Sequence, residues 1–199
     1  HGAIRVGTAQ ELATIARAFA VMGMQPVSYY NLAPAGVPVH STAFRPVDRE
    51  ALRRNPFRVF CSLLRMELIE DGALRAEAEA TLARRDIFTP GARALIDAAE
   101  SRGGLDEDQA DRFVSELLET FRWHAQATVS AQTYDRLVAA HRLIADVVSF
   151  KGPHINHLTP RTLDIDAAQA EMPRRGIAPK ETIEGPPARA CPVLLRQTS

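Results

Sequence analysis

Two short stretches hold side chains able to do chemistry together. The first is His1-Gly-Ala-Ile-Arg5. Side chains alternate along a strand, so His1, Ala3 and Arg5 share one face while Gly2 and Ile4 share the other. An imidazole, which can ligate a metal, then stands beside a guanidinium, which can grip a carboxylate through two N–H donors. Taken alone, His-xxx-Arg has little specificity, and a terminal His is also a common tag remnant.

The second stretch is His154-Ile-Asn-His157-Leu-Thr-Pro-Arg161. Pro153 and Pro160 bracket it and argue against a helix. Read as an unbroken strand, it turns His157, Thr159 and Arg161 one way and His154, Asn156 and Leu158 the other. The two histidines should then not chelate one ion together. The clustered His, Asn, Thr and Arg suggest a lined cavity, against the plainer alternative of a wet sheet face. Of the remaining histidines, His40 reads as a hydrogen-bonded core residue, and His124 and His141 as structural. Cys61 reads as a small buried hydrophobe. Cys61 and Cys191 lie far apart with no CxxC spacing, which argues against a disulfide framework or a Cys-based zinc site. A Gly-rich phosphate loop, a G-x-S-x-G elbow and HExxH are all absent from the sequence.

The elements that must position these residues follow from pattern. Gly2 to Val6 reads as a strand. Thr8 with Glu11 three residues on is a capping box, leading into Leu12, Ile15, Ala16 and Phe19 at helical spacing, with Gly23 as a stop. Val27–Leu32 and Val37–Phe44 read as strands about a Pro34/Gly36 turn. A short helix near Val47–Arg54 precedes a strand over Phe57–Leu63. Together these resemble one βαβββ module over residues 1–69. Residues 70–150 carry Ala, Leu, Arg and Glu at helical period and are expected to be an α-helical insertion of three or four helices. Its last helix carries Leu137, His141, Ile144 and Val148. Residues 151–199 return to strand from His154 to Ile165. A short helix over Ala167–Met172 and a strand over Val193–Thr198 follow, so the segment reads as the start of a second, truncated module.

The 199 residues include 24 Lys+Arg and 24 Asp+Glu, so there is no basic field for nucleic acid and no polybasic membrane anchor. No apolar run approaches the roughly 20 residues of a membrane span. The chain opens at His1 without a methionine, and the expectation is a fragment, a processed form or an edited sequence.

Five segments together resemble the 2-oxoadipate dioxygenase/decarboxylase family: His1–Arg5, Gly36–Pro46, Asn55–Phe60, Gly152–Arg161 and Ile183–Pro187. The likeness covers essentially the whole chain and is most specific around His157. It implies an α+β, vicinal-oxygen-chelate-like fold, with βαβββ modules forming a curved mixed sheet and a large helical insertion. It implies Fe(II) held by two His and one Glu: His1, His157, and a Glu expected beyond Ser199. Glu181 and Glu184 are not assigned that role. Arg5 is implied in substrate recognition and activity. His1 is counted with it among the substrate contacts, and strand alternation adds Arg161 near His157. The implied reaction converts a small-molecule 2-oxo dicarboxylic acid, 2-oxoadipate, and O2 into 2-hydroxyglutarate and CO2, in lysine catabolism and in the cytoplasm. Two other readings stay open: an inactive metal-binding fragment lacking the third ligand, and a glyoxalase-type isomerase or lyase using zinc or nickel.

Overall fold

The computed structural model of the chain describes residues 1–158 and 164–179. Chain contacts divide it into two units, His1–Thr159 and Pro160–Ser199. In the second, α8 (Ile165–Arg174) is capped by Asp164, which accepts the Ala167 N–H. This helix starts before the expected Ala167 and runs through Pro173. Arg161, Thr159, Glu181, Glu184, Cys191 and the expected Val193–Thr198 strand lie outside the described residues.

In the first unit, β1 (Gly2–Val6) gives way to α1 (Ala9–Val21) at the capping box. The Thr8 hydroxyl accepts the Glu11 N–H at 3.1 Å, and the Glu11 carboxylate returns to the Thr8 N–H at 3.3 Å. Then follow β2 (Gln25–Asn31), β3 (Val39–Arg45), α2 (Arg49–Arg54) and β4 (Val59–Leu64), a βαβββ order. The mixed sheet runs β2-β3-β4-β1-β5, with β5 (His154–Leu158) added antiparallel to β1. β1 and β4 are parallel neighbours.

The helices between β4 and β5 number five: α3 (Gly72–Ala83), α4 (Pro90–Arg102), α5 (Glu107–Thr120), α6 (Ala131–Ala140) and α7 (Arg142–Val148). This exceeds the expected three or four because the apolar period running through Leu137, Ile144 and Val148 hides a break. At His141 the backbone is extended, and its Nδ1 accepts the Leu143 N–H at 3.1 Å, capping α7. One residue thereby ends one helix and starts the next.

The five helices serve both faces of the sheet. Ile4, Val6, Val59, Cys61 and Phe44 are buried against Ile15 and Phe19 of α1, with α4 and α5 contributing Leu95, Ile96, Phe113 and Leu117. A second core gathers Val39 and Leu64 with Leu82 of α3, Leu137 of α6 and Ile144, Val147 and Val148 of α7. Strand alternation puts Val39 and Leu64 on the face opposite Ile4. Half of the insertion thus covers one end of the face that carries Arg5.

A buried ion pair ties these layers together. Arg85 donates from Nε and Nη2 to the two Glu11 carboxylate oxygens, both at 2.8 Å. Its Nη1 reaches the carbonyls of Val147 at 2.7 Å, Phe150 at 2.9 Å and Gly152 at 3.3 Å. Among the described residues no helix is long and apolar enough to cross a membrane.

Candidate functional site

The register of β5 on β1 decides which side chains meet. Gly2 pairs with Leu158 and Ala3 with His157, but Ile4 pairs with Ile155 and Arg5 with His154. Asn156 is therefore an extra residue, a β-bulge, and bulges re-aim the side chains beside them. Cross-strand partners share a face, so both His157 and His154 lie on the face of Ala3 and Arg5. The expectation that His154 points away from His157 is overturned. Alternation holds only while the ladder is regular, and the bulge resets its phase.

Two rows of side chains cross this face. One runs His154, Arg5, Ser62, Ser41, Tyr30; the other runs His157, Ala3, Phe60, Ala43, Val27. In the first, Ser41 and Ser62 are buried and their hydroxyls are 2.7 Å apart. In the second, Ala3 and Ala43 are small and half-buried. The His1 ring lies edge-on to the His157 ring, with centroids 5.1 Å apart.

Arg5 is held by neutral groups. Its Nη1 donates to His154 Nδ1 at 2.9 Å and to Asn156 Oδ1 at 3.4 Å. A guanidinium can only donate, so His154 Nδ1 is unprotonated here. Burial and then the charge of Arg5 hold the His154 imidazole below its ordinary pKa, with Asp146 of α7 pulling the other way. Burial also lowers Arg5, again opposed by Asp146. The Asp146 carboxylate itself is bonded by the Tyr134 hydroxyl at 3.2 Å and faces Arg142 at 4.0 Å. Beside His154 opens a cavity of about 290 Å³ whose walls include Tyr134, Arg142, Asp146 and Phe150.

The pair His1 and His157 fits a shared first-row divalent ion. Two imidazoles bound at right angles to one ion, at metal–nitrogen distances of about 2.1 Å, place their centroids roughly 4.6 Å apart, close to the observed spacing. Ligation through His157 Nε2 needs Nδ1 to carry the proton. Asn156, whose Nδ2 is 3.2 Å from His157 Nδ1, would then turn its amide to accept that proton with Oδ1. No group of three or more His, Cys, Asp or Glu able to hold a metal occurs among the described residues.

Of the other sequence candidates, His40 is hydrogen-bonded, to the Tyr29 hydroxyl, yet it is only half-buried and sits opposite Leu63, on the face away from Arg5. His124 is half-buried beside Gly152 and lines the same cavity as His154. Cys61 is fully buried. Sequence reasoning missed Ser41, Ser62 and Asp146 as neighbours of the site, and it named Asn156 without the bulge that Asn156 forms. Only their pairing across the sheet or packing from α7 reveals them.

A model of the 2-oxoadipate dioxygenase/decarboxylase family matches residues 1–199. The 2-oxoadipate dioxygenase/decarboxylase of Escherichia coli K12 is 66% identical over 199 residues, 100% of this chain and 44% of that protein. The chain thus spans less than half the length of such relatives. Hydroxyglutarate synthase from Pseudomonas putida, solved in complex with 2-oxoadipate, superposes with a TM-score of 0.85 at 65% identity, covering 98% of this chain and 43% of that one. A glyoxalase-superfamily protein from Ralstonia eutropha JMP134 shares the fold at 19% identity and a TM-score of 0.66, over 93% of this chain and 58% of its own.

Proposed function

We infer the function from one premise: the chain belongs to the 2-oxoadipate dioxygenase/decarboxylase family. The full-length protein that carries it uses Fe(II) and O2 to convert 2-oxoadipate into 2-hydroxyglutarate and CO2, in lysine catabolism. All the electrons that reduce O2 come from the substrate, through loss of its carboxylate carbon as CO2 and hydroxylation of the remaining diacid. No further reductant is needed. The observation that carries this reading is the joint presentation of His1, His157 and Arg5 on one sheet face, with the two imidazoles 5.1 Å apart.

His1 and His157 hold the iron, and a Glu beyond Ser199 completes a two-His, one-carboxylate set. When bound, Fe(II) supplies open positions for a chelating 2-oxo acid and for O2, and the redox chemistry that activates O2. Arg5 grips a substrate carboxylate. With Nη1 engaged by His154 and Asn156, its Nε and Nη2 hydrogens form the planar fork that matches a carboxylate. Ala3 keeps the space between the histidines and Phe60 clear for the carbon chain. Laid over one end of the face, α7 limits entry of water.

The test is oxygen uptake by the iron-loaded, full-length protein with a panel of 2-oxo diacids. The expected result is one O2 consumed and one CO2 released per 2-oxoadipate, with 2-hydroxyglutarate as product. Turnover of a substrate without O2, in a zinc- or nickel-loaded protein that ignores 2-oxoadipate, would overturn this reading in favour of a glyoxalase-type lyase or isomerase.

A further inference from the structure

We propose that His154 is the positioning residue for Arg5: its neutral Nδ1 aims the guanidinium at the carboxylate of a 2-oxo dicarboxylic acid without satisfying its charge. The proposal rests on the function inferred above and assigns a role to a side chain that strand alternation turns away from the site.

Three observations carry it. The Asn156 bulge brings His154 into register with Arg5, with Nη1 and Nδ1 2.9 Å apart. That contact is short enough to fix the guanidinium plane, and hydrogen bonds from a charged donor are the stronger kind. Second, among the described residues no carboxylate is bonded to Arg5. The nearby Asp146 is instead bonded by Tyr134 and faced by Arg142. A carboxylate on Arg5 would neutralise it and compete with an anionic substrate, whereas an imidazole nitrogen directs it and leaves the charge available. Third, the remaining Nη1 partner, Asn156, is at 3.4 Å and also sits 3.2 Å from His157. If its amide turns to accept from a metal-bound His157, it can no longer accept from Arg5. His154 is then the acceptor left to hold the guanidinium.

The test compares three substitutions in the full-length protein. His154→Leu removes the acceptor, His154→Asn restores one near the Nδ1 position, and His154→Asp supplies a charged one. Iron content, melting temperature, kcat and KM for 2-oxoadipate are measured, together with calorimetric binding of 2-oxoadipate to the metal-free protein. Losing a hydrogen bond to a charged group weakens binding by on the order of tenfold or more. We expect His154→Leu to raise KM and Kd by about that factor, with kcat and iron content changing much less. His154→Asn recovers most of the affinity. His154→Asp does not, although it is the stronger acceptor, because it quenches the charge.

Unchanged KM and Kd in His154→Leu overturn the proposal. So does a fall in kcat and iron content at unaltered affinity, which would make His154 a support for the metal instead. Recovery by His154→Asp also overturns it. Absence of O2-dependent turnover in the parent defeats the inferred function, and calorimetry then decides this proposal alone: graded loss of affinity supports it, and equal affinity, or no binding by the parent, overturns it.

Discussion

Replacing Arg85 by methionine should destabilise the fold and loosen β5 on β1, because one guanidinium joins three parts of the chain distant in sequence. Arg85 and Glu11 are 5% and 7% exposed at the side chain. Removing one partner of such a pair leaves the other charge buried, which costs about 3–5 kcal/mol. Two effects modify that figure in opposite directions. Glu11 retains the Gly7 N–H at 2.8 Å and the Thr8 N–H at 3.3 Å, which eases the loss. The carbonyls of Val147, Phe150 and Gly152 lose their shared donor, which adds to it. The sum stays within that range. For a unit of this size, each kcal/mol moves Tm by about 2–4 °C, so Arg85→Met should lower Tm by roughly 6–20 °C. The measurement is calorimetric unfolding of the full-length protein, joined to hydrogen exchange over residues 147–158, where protection should fall most. Glu11→Leu combined with Arg85→Met should recover much of the loss, since no charge is then left buried. A Tm within 2 °C of the parent for Arg85→Met, with unaltered exchange in β5, would refute the reasoning.

Three further outcomes are expected. Arg5→Lys keeps the charge but loses the two-donor fork, so iron content should persist while turnover of 2-oxoadipate falls tenfold or more, from a loss of about 2–5 kcal/mol; near-parental kcat/KM at full iron loading would shift the clamp to Arg161. His157→Ala should abolish iron binding, whereas His154→Ala should retain iron and lose affinity for the diacid; equal iron loss in both would count against the assignment of His157. Burial pushes the Cys61 thiol up to about 12, so at pH 8 it is held as the unreactive thiol; mass spectrometry should find its peptide unlabelled by a thiol reagent in the native protein and labelled in urea, and rapid native labelling would show that the sheet core opens.

Much of the first unit was legible because it depends on neighbours in sequence. Thr8 and Glu11 start α1 through contacts three residues apart, and the alternation of Ala3 and Arg5 against Gly2, Ile4 and Val6 follows from backbone geometry. The βαβββ order, the helical run after β4 and the motifs around His1 and His157 could be read in the same way. Tertiary structure decided what lies across strands and between layers. The bulge at Asn156 exists only because β5 pairs with β1, and no local propensity marks it, so His154 changes face without any change in its own sequence context. The extended backbone at His141 lies inside an apolar period that reads as one helix, and only the folded chain shows α6 ending and α7 starting there. Glu11 and Arg85, and Ser41 and Ser62, are likewise brought together by the fold. Periodicity carries information over a few residues, whereas pairing register and buried charge partners are settled by which surfaces finally meet.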